Sequence, residues 1–376
     1  MISGKLFSIS APKHKRVGNS MNLNSLVILA ILRNYSNRLL LYFDVKLLSK
    51  IKLIVLSLQK EYDVFELGSK LGYLPYMIDR FIEMLGECET KELIKFNETT
   101  LPQSIRLNSL RNSFENSERL LKKKGIQLEK NTEFPESRTI TKSPHPIGAT
   151  PEYLNGFYML QGKNSLYPPR ILDPQEGELI GDFAAAPGGK TSHLAQLMNN
   201  KGIIIGLEIS ANRCRSLKSN LSRMGVENTA VFKMDARNAK DFNLQFDKIL
   251  LDAPCSGSGI IINDPTRKKS KSLKDILHYH DYQVSLLTTA LNVLKTNGEL
   301  VYCTCSLEPE ENELVISDIL KKVDVKLSEI EVKGKPGITK FLDMDLEKNL
   351  TKTRRLYPHE TNGEGFFIAK LVKNYE

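Results

Sequence analysis

Leu179-Ile-Gly-Asp-Phe-Ala-Ala-Ala-Pro-Gly-Gly-Lys-Thr191 decides the fold. Its first five residues form an apolar run of strand length. Its centre is a turn of small residues, and Lys190-Thr191 opens a helix. Further runs of strand character at 202–207, 229–234, 246–251 and 299–304 alternate with helix-like segments. That alternation predicts an α/β fold with a parallel sheet covered on both faces. A last apolar run, 365–372, is expected to add an edge strand.

The turn itself, Ala184, Ala185, Ala186, Pro187, Gly188, Gly189 and Lys190, lets the backbone come close to a ligand at a helix N-terminus, which favours negative charge. Two ligands fit. Gly189-Lys190-Thr191 imitates the end of a nucleoside triphosphate loop, and 249–252 imitates an apolar strand ending in a metal-linked Asp. That reading stumbles on Ala184, where the loop pattern needs glycine, and on Pro187, which removes an amide donor. The other ligand is a nucleoside with a small charged tail, held across the first two strand ends. Glu208 ends the second strand, where an acid would hold ribose hydroxyls, and Arg213 lies in the helix behind it. Asp235 ends the third strand, within reach of an adenine edge, and Asp252 ends the fourth. Acids at successive strand ends without a dinucleotide fingerprint point to S-adenosylmethionine.

Two cysteines stand in matched settings. Cys255 lies in Asp252-Ala-Pro-Cys-Ser-Gly257 and Cys305 in Thr304-Cys-Ser-Leu307, each just past an apolar strand. A free cysteine is most often a small buried hydrophobe, and Cys88, Cys214 and Cys303 are read that way. Residues 306–311 look like a helix start with Pro309 in the first turn, which would lower a neighbouring thiol pKa. Cys305 is therefore the candidate nucleophile.

The chain of 376 residues is 41% hydrophobic, enough for a large core and two or three units. Five cysteines without regular spacing argue against both a disulfide framework and a zinc site. No secretory signal or membrane span is read, so a soluble, cytoplasmic, monomeric protein without a metal is expected. Residues 1–170 hold 25 Lys and Arg against 16 Asp and Glu, whereas 171–376 hold 28 of each. The whole net charge of +9 thus lies in the first part, which would draw a polyanion such as RNA.

Four segments are expected. Residues 1–20 read as a basic flexible tail. Residues 21–96 carry apolar blocks at helical spacing (26–32, 47–58, 64–71 and 77–85) and read as a small helical domain. Residues 97–170 read as an α+β lead-in, with a strand at 104–108, a helix at 113–124, and an irregular stretch or loop-paired strands at 134–151. Residues 171–376 carry the parallel sheet.

In combination, Ala184-Ala-Ala-Pro-Gly-Gly-Lys190, Asp252-Ala-Pro-Cys-Ser-Gly257 and Thr304-Cys-Ser-Leu307 with Pro309-Glu-Glu-Asn-Glu313 resemble the RNA cytosine-5 methyltransferases of the NOP/Sun (RsmB-like) family. The ending Arg354-Arg-Leu-Tyr-Pro-His359 with Gly363-Glu-Gly-Phe-Phe-Ile-Ala369 is similar too, as are Ser104-Ile-Arg-Leu-Asn108 and Tyr158-Met-Leu-Gln161 upstream. The resemblance spans roughly residues 100–372, departing at Ala184, usually Cys, and at Glu208, often Asp. It implies a Rossmann-like S-adenosylmethionine-dependent fold, a tRNA or rRNA substrate, and a reduced NusB-like domain at 21–96. It also implies roles: Cys305 adds to cytosine C6, Asp252 bonds the ring edge near N3, and Cys255 serves release of the product. A base must leave its stack to reach such a site, and Arg267, Lys268, Lys269, Lys271 and Lys274 are placed to grip flanking phosphates. A P-loop-like ATPase and a non-catalytic RNA-binding or ribosome-assembly factor remain as alternatives.

Overall fold

The computed structural model describes residues 63–374. The expected tail at 1–20 and the apolar blocks 26–32 and 47–58 lie outside them. Residues 63–70 are helical, and after Gly72 the helix α1 (Pro75–Asn97) starts on a proline, whose fixed φ suits a first turn. It kinks at Gly86, where φ is 73°. Val64, Tyr73, Met77, Ile78, Phe81, Leu93 and Ile94 bury themselves together with Ile261, Leu307 and Tyr357. The described part of the helical segment therefore shares one apolar core with the C-terminal half.

The lead-in is a four-stranded antiparallel sheet in the order β2-β3-β1-β4. Its elements are β1 (Ser104–Leu107), the helix α2 (Phe114–Lys123), β2 (Gln127–Lys130), β3 (Ser137–Lys142) and β4 (Tyr158–Leu160). The Ser113 side chain caps α2 by accepting from the Asn116 amide. Of the two readings of 134–151, loop-paired strands hold, because β3 lies inside it.

The main sheet has nine strands. Its parallel part comprises β5 (Leu179–Phe183), β6 (Ile203–Glu208), β7 (Thr229–Lys233), β8 (Phe246–Asp252) and β9 (Leu294–Thr304), in the order β7-β6-β5-β8-β9. Between them run the helices α3 (Gly189–Leu197), α4 (Ala211–Met224) and α5 (Leu273–Asn292), and α6 (Glu313–Lys322) follows β9. Strand residues alternate between two apolar layers, as a period of two requires. Ile249, Leu251, Leu300 and Tyr302 face α5 and α6, while Leu250, Val301 and Cys303 face Leu194, Ala195 and Met198 of α3 and the turn after it. Each fully buried Leu or Ile in these layers contributes about 2–3 kcal/mol. Strand order reverses at β5, which has β6 on one side and β8 on the other, and this opens a crevice at their carboxyl ends.

The expected edge strand at 365–372 is corrected. It forms β15 (Phe366–Lys373), an interior strand antiparallel to β9. Its outer side is shared by β10 (Val325–Ser328) and β14 (Arg354–Leu356), and β11 (Lys335–Pro336) completes the edge. A small hairpin, β12 (Lys340–Phe341) with β13 (Met344–Asp345), lies off the sheet. Strands of two to four residues carry too little pattern to be seen in a sequence. Among the described residues no helix is long and apolar enough to cross a membrane.

Candidate active site

Parallel pairing of β8 with β9 sets Asp252 opposite Cys303, so the loops that follow the two strands leave the sheet side by side. They bring the Cys255 and Cys305 Sγ atoms to 3.3 Å from each other, both half-buried. The hydrogen bond to Cys305, and then burial, push the Cys255 thiol well above its ordinary pKa. Lys190 Nζ donates to Asp252 Oδ2 at 2.7 Å and sits 5.0 Å from the centre of the Phe366 ring. Burial works against the Lys190 charge, but the Asp252 carboxylate outweighs it and holds the pKa above the usual lysine value. Cys303 is buried as expected, yet its Sγ donates to Asp252 Oδ1 at 3.4 Å.

The expected helix start at 306–311 holds in part, with Pro309 in a first turn that is 3-10 and not α. The chain makes one short 3-10 turn at Pro309–Glu311, bends at Asn312 (φ −120°, ψ −97°), and only then enters α6. Buried side chains hold this path. Thr304 Oγ1 donates to Asn312 Oδ1 at 2.6 Å, Asn312 Nδ2 to the Ser306 carbonyl at 2.9 Å, and Tyr302 Oη to the Glu311 carbonyl at 2.6 Å. The acids behind Cys305 are interior: Glu308 is fully buried, and burial raises its pKa to about 8, while Glu310 pairs with Arg80 at 2.5 Å.

On the other side of Lys190 the small-residue loop lines the crevice. Ala184 adopts φ 65° and Gly188 φ 100°, the left-handed region that glycine tolerates at no cost and alanine does not. Arg213 Nη2 donates to the Ala186 carbonyl at 2.6 Å, which fixes the loop from α4. Glu208 is buried; its Oε1 accepts from the Ser210 amide at 2.9 Å, and Arg213 Nη1 lies 3.2 Å from Oε2. That approach lacks hydrogen-bond geometry, so Oε2 remains a buried acceptor without a hydrogen bond. Ribose hydroxyls supply the donors such an acceptor needs, and the residues therefore fit a nucleoside cofactor. Asp235 is turned toward Arg237, which donates to it at 2.6 Å and stacks on Tyr282. Thr191 Oγ1 is committed to Asp182 at 2.6 Å and Lys190 to Asp252, so neither group a triphosphate loop would use is free. Burial raises Asp182 to about 7.

A family model described as 16S rRNA methyltransferase RsmB/F matches residues 169–372. The chain belongs to this RsmB/F family. It is 41% identical over 314 residues to a 28S rRNA (cytosine-C(5))-methyltransferase of Mus musculus, covering 82% of this chain and 40% of that protein. With a tRNA (cytosine(49)-C(5))-methyltransferase of Pyrococcus abyssi it shares 34% identity over 279 residues, 73% of this chain and 88% of that one. The chain thus spans well under two thirds of its mammalian relative. The crystal structure of a methyltransferase homolog from Pyrococcus horikoshii superposes with a TM-score of 0.76 at 41% identity, over 83% of this chain and 99% of that one. NSun6 from Pyrococcus horikoshii, solved with the S-adenosylmethionine analogue SFG, gives 0.71 at 28% identity, over 79% and 97%.

The sequence assigned no role to Arg106, yet it joins the lead-in of this RsmB/F member to α3. Fully buried, it donates from Nε to Gln161 Oε1 at 2.9 Å, from Nη2 to Ser192 Oγ at 2.7 Å, and from Nη1 to Gln196 Oε1. Burial lowers its pKa to about 9. Beside it, Glu136 accepts from Arg170 at 2.6 and 2.9 Å and faces His193 at 3.0 Å. An arginine inside an apolar strand run was the available signal. Of the basic residues beyond Cys255, Lys268 is corrected: it is buried and bonded to Glu98 and the Leu71 carbonyl. Arg267 is tied to Asp264 at 2.8 Å and Lys271 lies over Tyr279, while Lys269 and Lys274 are exposed. A cluster of Glu89, His359 and Glu360 has metal-like spacing, but Lys335 bonds both carboxylates.

Proposed function

We propose that this chain is an S-adenosylmethionine-dependent RNA methyltransferase that forms 5-methylcytosine in rRNA or tRNA through a covalent cysteine adduct. The observation that carries this reading is the pair of thiols 3.3 Å apart, beside the Lys190–Asp252 ion pair, at the switch point of the sheet. A phosphate-loop ATPase is disfavoured by the commitments of Lys190 and Thr191, and a purely RNA-binding role leaves the two thiols without a use.

Bound over residues 184–190, S-adenosylmethionine supplies an electrophilic methyl group. Glu208 would accept from its ribose hydroxyls, Asp235 would meet the adenine edge on turning from Arg237, and Arg213 keeps the loop in place. Cytosine C5 is a weak nucleophile, so the Cys305 thiolate adds at C6 and makes the ring an enamine. Asp252, held by Lys190 at 2.7 Å, accepts a hydrogen bond from the ring edge near N3, while the Lys190 charge offsets the negative charge that builds there. Cys255 is the base that takes the C5 proton so that Cys305 can leave. Its hydrogen bond to Cys305 is the largest cause of its raised pKa. Two free thiols persist in a reducing compartment such as the cytoplasm.

The test is incubation of the protein with methyl-labelled S-adenosylmethionine and total RNA, followed by nucleoside analysis. Label in 5-methylcytidine is the expected result, and label confined to another nucleoside, or absent, contradicts the reading.

A further inference from the structure

Glu311 lies beneath both cysteine loops without reaching the crevice. It is fully buried, and its carboxylate meets four donors. Oε1 accepts from the hydroxyls of Ser256 and Ser306, the latter at 2.7 Å. Oε2 accepts from the Ser256 amide at 2.8 Å and from Gln283 Nε2 at 3.1 Å. Ser256 is the residue after Cys255, and Ser306 is the residue after Cys305. Gln283 also donates to the carbonyl of Pro254, the residue before Cys255, at 2.8 Å.

The hydroxyl protons can be placed so that both serines donate to the carboxylate, although Ser256 Oγ and Ser306 Oγ are also 3.1 Å from each other. Ser306 Oγ already accepts from the Glu308 amide at 3.0 Å, and Ser258 Oγ from the Leu307 amide at 2.9 Å. In that arrangement the Ser256 and Ser306 hydroxyls both donate to Oε1. A carboxylate offers about four acceptor sites, and all four are filled here. An amide in its place offers fewer acceptor sites and turns an NH2 toward groups that now donate to it. An acceptor-only group under two loops fixes their separation.

Resting on the proposed cysteine mechanism, we infer that Glu311 is the positioning residue that holds the attacking and releasing thiols in register by clamping Ser256 and Ser306. It acts through those serines and touches no reacting atom. A thiol displaced by about 1 Å from its line of attack costs roughly 100-fold in rate, so the clamp should appear in kcat rather than in substrate binding.

The experiment compares wild type with Glu311→Gln in the full chain, by two readouts. One is steady-state methylation of RNA. The other needs no RNA or cofactor: the rate at which hydrogen peroxide joins Cys255 to Cys305, two thiols and one peroxide giving one disulfide and two waters. Expected for Glu311→Gln are a kcat lower by about 100-fold, KM for RNA and S-adenosylmethionine within about threefold of wild type, and disulfide formation slowed by at least about tenfold. A kcat within about threefold of wild type, or an unchanged disulfide rate, overturns the clamp. Should Glu311→Gln not fold, Ser306→Ala and Ser256→Ala each remove one side of it and should each slow disulfide formation; unchanged rates in both overturn it equally. Wild type that methylates no RNA but forms the disulfide in a Glu311-dependent way would sink the proposed reaction and leave the clamp standing.

Discussion

Lys190 Nζ and Asp252 Oδ2 are 2.7 Å apart, and this ion pair joins the start of α3 to the end of β8, the two elements that flank the switch point of the sheet. Lys190→Met keeps much of the stem volume but removes the charge. It leaves Asp252 with Cys303 as its remaining partner and nothing to offset charge on the pyrimidine. The expected effect is a fall in kcat of about 100-fold, the scale for loss of one preorganised electrostatic partner, with KM for RNA little changed. Steady-state kinetics on purified RNA decide this, and a variant defective only in KM would assign Lys190 to binding.

Glu208 gives a separable prediction. Its free Oε2 is a buried acceptor waiting for a donor. Glu208→Gln exchanges half of that capacity for a donor, and should weaken binding of S-adenosylmethionine by about tenfold while leaving RNA affinity unchanged. Calorimetric titration with the cofactor alone tests it; undiminished affinity would remove Glu208 from the ribose site.

Gly259 is constrained by close approach. Its amide donates to the Cys305 carbonyl at 2.9 Å and its carbonyl accepts from the Gly365 amide at 2.7 Å. A methyl group on Gly259 would lie 2.7 Å from the Gly365 oxygen and 2.8 Å from the Cys305 oxygen. Gly259→Ala should therefore displace the Cys305 loop and lower adduct formation at least about tenfold, even where the protein still folds. Gel-resolved trapping on RNA carrying 5-fluorocytosine measures it.

Much of this site was legible because it depends on local pattern. Apolar runs ending in Glu208, Asp235 and Asp252 announced the strands, and the loop from Ala184 to Lys190 announced the crevice. The parts that were not legible depend on partners distant in sequence. Residues 306–311 read as a helix start with acids behind a proline; here Glu308, Glu310 and Glu311 are interior, Glu310 paired with Arg80 and Glu311 bonded to Ser256 and Gln283 from other elements. β15 read as an edge because the short strands covering it, β10 and β14, have no pattern of their own. The buried roles of Arg106 and Glu136 depend on partners such as Gln196, Arg170 and His193 far along the chain.

His193 makes stability depend on acid. It is fully buried, and burial lowers its pKa from 6.5 to about 4, with Arg106 acting in the same direction, so it stays neutral facing Glu136. Between those values the unfolded chain binds the extra proton, so stability is complete above about pH 6.5 and falls as the pH drops toward 4. Burial pushes the Glu136 pKa up, but hydrogen bonds from His193 and Arg170 outweigh it and hold it well below the usual range, which adds a further loss below its ordinary 4.5. The His193 share is about 2 kcal/mol at pH 5. Melting curves from pH 7.5 to 5 should show a decline in wild type that is shallower in His193→Gln; parallel declines would assign the acid sensitivity elsewhere.

The central claim is that Cys305 attacks and Cys255 releases. Incubating wild type, Cys305→Ala and Cys255→Ala with tritiated S-adenosylmethionine and total RNA, then resolving the products on denaturing gels, tests it directly. The account predicts labelled free RNA with wild type, no label with Cys305→Ala, and a labelled protein–RNA band that persists with Cys255→Ala. Unchanged RNA labelling in both variants would contradict it.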